Sequence, residues 1–161
     1  MDILDQLREI VGQTHVLNGD DAERYSADWL KQYHWTPLAV VRPSSTEEVA
    51  RVVEFADQNK LSIVPMGGNT GLTGATRAQD CIVISLERMS TIRKIRKDAK
   101  IAIVEAGAIL SNVHSAVDDH HLVFPLTFGA KGSATIGGVI GTNAGGSNVL
   151  RYGNTRDLIL G

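Results

Sequence analysis

The sequence contains a single cysteine, Cys81, so it cannot form an internal disulfide. Cys81 lies in an apolar run, where a free cysteine packs as a small hydrophobic residue, and this placement argues against a metal, redox or nucleophilic role. No apolar run approaches the roughly 20 residues that a membrane-spanning helix needs. The N-terminus lacks a basic segment followed by an apolar stretch, so the expected location is cytoplasmic, including a peripheral position at a membrane.

An excess of charge of one sign is also missing. The formal net charge is −2, which gives no general attraction to nucleic acid, so no nucleic-acid partner is expected. One basic cluster lies between two apolar runs and is predicted to form a solvated turn; its members are Arg93, Lys94, Arg96, Lys97 and Lys100. With 161 residues, 43% of them hydrophobic, the chain is long enough for one domain with a core, or a piece of one.

Two common nucleotide-binding patterns are absent as well. No glycine begins the phosphate-loop pattern of a glycine, four residues and then Gly-Lys-Ser/Thr, which excludes that class of ATP or GTP site. The G-x-G-x-x-G pattern is missing at every glycine, which disfavours a Rossmann fold and nicotinamide dinucleotides.

The pattern of apolar residues predicts an alternation of helices and strands. A helix is expected from Ile3 to Val11, ended by Gly12, and a second helix opens at a capping box of Ser45 and Glu48. Strands at residues 38–41 and 61–65 flank this second helix, so the three elements form a βαβ unit with parallel strands. The remaining predicted elements are strands at residues 81–86 and 101–105, a helix at residues 109–117, and a strand that begins at residue 158. No regular period survives between Pro125 and that last strand.

Glycine placement is the most informative feature that is present. Of the 16 glycines, four fall between Gly67 and Gly74, and eight fall between Gly129 and Gly153. A glycine cluster after a strand permits positive φ angles and lets backbone N–H groups converge on a di-anion such as a pyrophosphate. A tight turn with a bulge explains a single glycine pair, but two long clusters favour a ligand.

The second cluster is rich in small residues, which allow a chain to lie flat against a large planar ligand. Four side chains there could supply hydrogen bonds to a ring edge or a phosphate: Ser133, Thr135, Thr142 and Asn143. A coil that packs on a neighbouring domain fits the same spacing, so the residues alone leave both interpretations open.

Three runs, residues 65–74, 125–146 and 151–157, resemble the FAD-linked oxidase family of the vanillyl-alcohol oxidase and p-cresol methylhydroxylase superfamily. The likeness extends from about Tyr25 to the last residue. It is strongest to FAD-dependent D-2-hydroxy-acid dehydrogenases: D-2-hydroxyglutarate dehydrogenase, D-lactate dehydrogenase and the glycolate oxidase flavin subunit. The resemblance implies an α+β, PCMH-type FAD-binding domain. Residues 1–161 would hold the first subdomain, with its βαβ unit, and part of the second; a C-terminal substrate domain is not included.

The resemblance also implies non-covalent FAD, since residues 65–74 contain no histidine or cysteine for attachment. The first loop would wrap the pyrophosphate with backbone N–H groups, and the second run would line the flavin and its ribityl-phosphate arm. The implied cofactor-binding residues are Pro65, Gly67, Gly68, Asn69, Thr70, Gly71, Leu72, Pro125, Gly129, Ser133, Gly137, Gly138, Asn143 and Gly146. The sequence departs from the family pattern at two positions: Thr127 stands where an acidic residue is common, and Ala75 stands where a second glycine is common. These differences concern the substrate or the subfamily more than FAD binding.

The implied reaction converts a D-2-hydroxy acid to a 2-oxo acid by hydride transfer to flavin N5, with a quinone or an electron-transfer protein as acceptor. No residue here matches the catalytic residues or metal ligands of such relatives, and residues 118–121 are interpreted as a helix end. An alcohol or sugar oxidase of the same superfamily and a non-catalytic flavin-binding fragment remain alternatives. The chain alone is expected to be inactive and to form homo-oligomers through an unpaired strand edge.

Overall fold

The computed structural model describes residues 2–161, and the chain divides into two compact units, one ending at Met89 and the other running from Ser90 to Gly161. The helices are α1 (Ile3–Val11), α2 (Thr46–Gln58), α3 (Leu110–Asp118), α4 (Ile136–Gly141) and α5 (Val149–Tyr152). The strands are β1 (Val16–Leu17), β2 (Ala39–Val41), β3 (Ile63–Met66), β4 (Ile82–Ser85), β5 (Ile92–Arg96) and β6 (Ile101–Val104). Short 3-10 turns cover Gln13–His15, Gly19–Tyr25, Gly129–Gly132 and Thr155–Leu158. No helix within residues 2–161 has the length and apolar character needed to cross a membrane.

The first unit contains a four-stranded sheet in the order β1-β2-β4-β3. Strands β2 and β3 both pair in parallel with β4, and β1 is antiparallel to β2. The predicted βαβ unit is therefore confirmed as parallel, but its two strands are not neighbours because β4 lies between them. All four residues of β4 are buried, as expected for a central parallel strand.

Alternate residues of the central strands supply two cores in this unit. One face packs with α1 and α2; its buried residues are Leu7, Val11, Val16, Ala39, Val41, Val52, Phe55, Ala56, Ile82 and Ile84. The intervening residues belong to a second cluster of Ala22, Tyr25, Trp35, Val40, Met66, Ala78 and Val83. Because β3 and β4 are parallel, their carboxyl ends, and the loops that follow them, lie at the same edge of the sheet.

Helix ends in the first unit follow the sequence closely. Gly12 ends α1 with φ 92° and donates its N–H to the carbonyl oxygen of Arg8 at 2.8 Å. The Ser45 hydroxyl accepts the Glu48 N–H at 3.2 Å, which is one half of the predicted capping box. The other half differs, because the Glu48 carboxylate accepts the N–H of Ser44, at 2.7 Å, instead of that of Ser45.

The second unit opens with the antiparallel hairpin of β5 and β6. The prediction that the basic cluster forms a turn was wrong for Arg93, Lys94 and Arg96, which belong to β5. The register shifts between Ile92 and Lys94, and this irregularity lets Ile92 and Ile95, three residues apart, both pack on the core. The bulge breaks the two-residue period that would have identified the strand.

The chain after Pro125 is more regular than the sequence indicates. It forms α4, α5 and two 3-10 turns, and the predicted strand at residue 158 was wrong. Leu158 instead ends the Thr155–Leu158 turn, which is fixed by a capping box between Asn154 and Asp157. The core of this unit consists of Ala108, Leu110, Val113, Val117, Leu126, Ala134, Ile136 and Val139.

Candidate functional site

The first glycine-rich loop follows β3 and has no regular secondary structure. A glycine cluster permits positive φ angles, and the left-handed residues of this loop are Asn69, with φ 51°, and Gly74, with φ 71°. Asparagine tolerates this region because its short side chain can bond to nearby backbone. The loop thus turns at Asn69 as well as at a glycine, whereas Gly71 is not in the left-handed region.

The Asn69 side chain closes the loop internally. Its amide nitrogen donates to the carbonyl oxygen of Ala27 at 2.7 Å, and its carbonyl oxygen accepts from the Thr76 hydroxyl at 2.7 Å. Both polar ends of this side chain therefore shape the loop, and a ligand contact from Asn69 would come through its backbone. Sequence reasoning missed Thr76 because its partner lies seven positions away.

Gly71 has room for a side chain, so contacts with the protein do not explain why it is a glycine. A Cβ built on Gly71 would meet no protein atom within 4 Å, and the φ angle of this residue is not in the left-handed region. The next residue, Leu72, leaves 65% of its surface exposed. The loop therefore has an open backbone surface at Gly71, as a pyrophosphate held by backbone N–H groups would require.

Glycines of the second unit fall into two groups. A Cβ on Gly146 would lie 2.4 Å from the carbonyl oxygen of Thr127, and one on Gly137 would lie 2.9 Å from the Cβ of Ala106. Close packing of the chain on itself accounts for glycine at both positions. Gly129, Gly132 and Gly141 meet nothing within 4 Å and leave the backbone open to a ligand. The second run thus also fits a cofactor that lies against bare backbone.

The predicted hydrogen-bonding side chains of this run differ in their availability. The Thr135 hydroxyl is buried and accepts the Gly138 N–H at 3.2 Å, capping α4. The Thr142 hydroxyl donates to the Gly138 carbonyl oxygen at 3.0 Å. These bonds account for both threonines locally, whereas Ser133 is exposed and its hydroxyl has no partner within residues 2–161.

Asn143 is the second left-handed asparagine, with φ 49°. Its side-chain oxygen accepts the backbone N–H of Arg156 at 3.0 Å.

Pro125 and Asn148 line an open depression of about 350 Å³, where the Asn148 amide donates to the Pro125 carbonyl oxygen at 3.0 Å.

A cluster of charged and polar side chains joins three segments of the first unit that are distant in the sequence. The Glu87 carboxylate accepts from the Tyr25 hydroxyl at 2.9 Å and from Arg42 at 3.2 Å, and it also contacts Arg24. Burial acts to raise the pKa of Glu87, but the bond from Tyr25 and the charges of the two arginines outweigh it and hold the pKa below its usual value. The cluster thus links the Gly19–Tyr25 turn to residues that closely follow β2 and β4.

Asn69 contacts a short hairpin of residues 27–34, which is closed by an antiparallel bridge between Ala27 and His34 and contains the buried carboxylate of Asp28. Asp28 accepts the Tyr33 N–H at 2.8 Å. This bond is the largest influence on the pKa of Asp28 and lowers it; burial opposes the shift, and the N–H groups of Gln32 and Leu30 reinforce it. The ionised carboxylate therefore stabilises the folded hairpin.

We expect Asp28→Asn to lower the free energy of unfolding at pH 7 and to lose this effect in acid. Because the pKa is lowered on folding, the contribution of Asp28 is complete above the ordinary aspartate pKa of about 3.9 and disappears as the pH falls through the lower folded value. Urea unfolding of both proteins at pH 7 and pH 3, followed by the emission of Trp29 and Trp35, measures the difference. A difference that does not change with pH would contradict this role.

The chain matches the model of a family described as an FAD binding domain over residues 37–161. It is 44% identical over 142 residues to D-2-hydroxyglutarate dehydrogenase of Xanthomonas citri pv. viticola, covering 88% of this chain and 30% of that protein. It is 36% identical over 161 residues to the Stutzerimonas stutzeri protein of the same name, covering 99% and 35%. The chain thus spans about a third of the length of the curated relatives it matches.

Solved structures with lower identity share the fold. An alkyldihydroxyacetonephosphate synthase superposes with a TM-score of 0.86 at 19% identity, over 99% of this chain and 32% of that one. The 6-hydroxy-D-nicotine oxidase of Arthrobacter nicotinovorans gives a TM-score of 0.77 at 22% identity, over 88% and 31%. The mixed α/β architecture inferred from the sequence is confirmed by these superpositions.

Proposed function

Because this chain belongs to the FAD binding domain family, we propose that it is the FAD-binding part of a dehydrogenase that oxidises a D-2-hydroxy acid to a 2-oxo acid. The observation that carries the proposal is the open backbone at Gly71. Neither close packing nor a positive φ angle requires glycine there, whereas a ligand that lies against the backbone would. The relatives named D-2-hydroxyglutarate dehydrogenase support the substrate class. The cytoplasmic location and the identity of the electron acceptor remain predictions.

Each unit would bind its own part of the cofactor. In the first unit, the N–H groups of residues 67–72 would hold the pyrophosphate, with Asn69 setting the turn through Ala27 and Thr76. In the second unit, Gly129 and the exposed Ser133 hydroxyl would contact the flavin arm. Gly137 and Gly146 would act by allowing the chain to pack closely. Bound flavin would supply the hydride acceptor.

Flavin analysis of the purified protein tests this proposal. The two glycine-rich backbone segments suit a dinucleotide with a pyrophosphate, which FMN lacks. Acid treatment should therefore release FAD, and the release of FMN alone would contradict the assignment. The precipitated protein should be colourless, because the expected attachment is non-covalent. Reduction of the bound flavin by D-2-hydroxyglutarate or D-lactate, with NAD unable to replace a dye acceptor, would support the dehydrogenase activity.

A further inference from the structure

Arg156 contacts the end of α4 with its side chain. Its Nε donates to the carbonyl oxygen of Ile140 at 3.0 Å, and its Nη2 donates to that of Gly141 at 2.9 Å. The last carbonyl groups of a helix lack partners within the helix, and a cation is favoured at that end. The Arg156 guanidinium therefore fixes the point where α4 ends and the glycine-rich turn of residues 142–146 begins.

The backbone of the same residue orients Asn143. An N–H group can only donate, so the atom of Asn143 that faces the Arg156 N–H at 3.0 Å must be the side-chain oxygen. The amide nitrogen of Asn143 has no hydrogen-bond partner within residues 2–161 and is left to donate elsewhere. Next to it, Thr155 donates both its N–H and its hydroxyl to the Ala144 carbonyl oxygen, at 3.0 and 2.7 Å.

We propose that Arg156 is a positioning residue that presents the Asn143 amide nitrogen as a hydrogen-bond donor to an acceptor group of the cofactor. The inference rests on the proposed function, because it requires residues 142–146 to contact FAD. The acceptor is an oxygen or nitrogen of the flavin ring or an oxygen of the phosphates, which offer the same chemistry to an amide donor.

Two variants separate the parts of this arrangement. Asn143→Asp tolerates the left-handed backbone and can still accept the Arg156 N–H, but it replaces the donor with a charged acceptor. Arg156→Ala keeps its own N–H and removes the guanidinium from the end of α4. Arg151→Ala is the matched control, because Arg151 lies over the Tyr152 ring and has no ion pair within residues 2–161.

Titration of each protein with FAD, followed by flavin fluorescence, should show about tenfold weaker binding for Asn143→Asp and Arg156→Ala and less than a twofold change for Arg151→Ala. Millimolar ethylguanidinium should restore binding to Arg156→Ala, which a general loss of stability would not allow. Riboflavin, which lacks phosphates, identifies the acceptor: Asn143→Asp weakens riboflavin binding if the acceptor is on the ring and leaves it unchanged if the acceptor is a phosphate.

Hydrogen exchange of the apoprotein distinguishes this inference from the proposed function. Arg156→Ala should speed the exchange of the Asn143 and Ala144 amides, and Arg151→Ala should not. Wild-type binding of FAD together with unchanged binding by Arg156→Ala would overturn the positioning role alone. A wild-type protein that binds no flavin, with these amides still protected by Arg156, would instead refute the proposed function and the inference that rests on it.

Discussion

Replacing Gly146 by alanine is expected to destabilise the folded chain by about 1–3 kcal/mol, the range for overpacking a well-packed site. The new Cβ would lie 2.4 Å from the Thr127 carbonyl oxygen and 3.0 Å from both the carbonyl carbon and the nitrogen of that residue. These are backbone atoms, so a side-chain rotation cannot relieve the contact. The Ser147 N–H also donates to the Thr127 oxygen at 3.0 Å, so the two segments would have to separate and weaken that bond.

Gly141→Ala provides the matched control in the same glycine-rich run. A Cβ at Gly141 would meet no protein atom within 4 Å, and the residue is the last of α4. Alanine restricts the unfolded chain more than glycine, so this variant should be neutral or more stable by up to about 1 kcal/mol. Urea unfolding followed by circular dichroism, without flavin, compares the two. Equal stability of both variants would mean that the segments at Thr127 and Gly146 are not in close contact.

Replacing Gly71 by valine should weaken FAD binding about 100-fold, equivalent to about 2.7 kcal/mol, while the apoprotein keeps its stability. A Cβ at this position meets no protein atom within 4 Å, and the backbone of residue 71 does not have a positive φ angle. The fold should therefore tolerate valine there. It would occupy the open backbone surface where the pyrophosphate is proposed to bind. A loss of affinity without a loss of stability would therefore locate the ligand at this loop.

Ala75→Val is the control for Gly71→Val. Ala75 is exposed in the same loop but lies outside the predicted cofactor-binding residues, so added bulk there should leave FAD affinity within about twofold. Fluorescence titration with FAD and thermal unfolding of each apoprotein complete the comparison. If Gly71→Val and wild type bind FAD equally, the first loop is a simple turn.

Local sequence signals identified much of the scaffold. The apolar spacing of α1 and α2, the stop at Gly12 and the Ser45 cap depend on residues within four positions of one another, so the sequence alone could locate them. The two glycine clusters were equally visible, and the family match over residues 37–161 confirms that they belong to an FAD binding domain.

The sequence by itself thus determined where α1, α2, α3, most strands and the two glycine-rich segments lie, because these features follow from neighbouring residues. Only the tertiary structure decided which glycines serve the fold and which leave backbone open. Gly146 is required by Thr127, 19 positions earlier, whereas Gly129 meets nothing, and no local pattern distinguishes them. The central place of β4 and the partners of Asn69 likewise depend on contacts between residues distant in the chain, and such contacts exist only once the chain has folded.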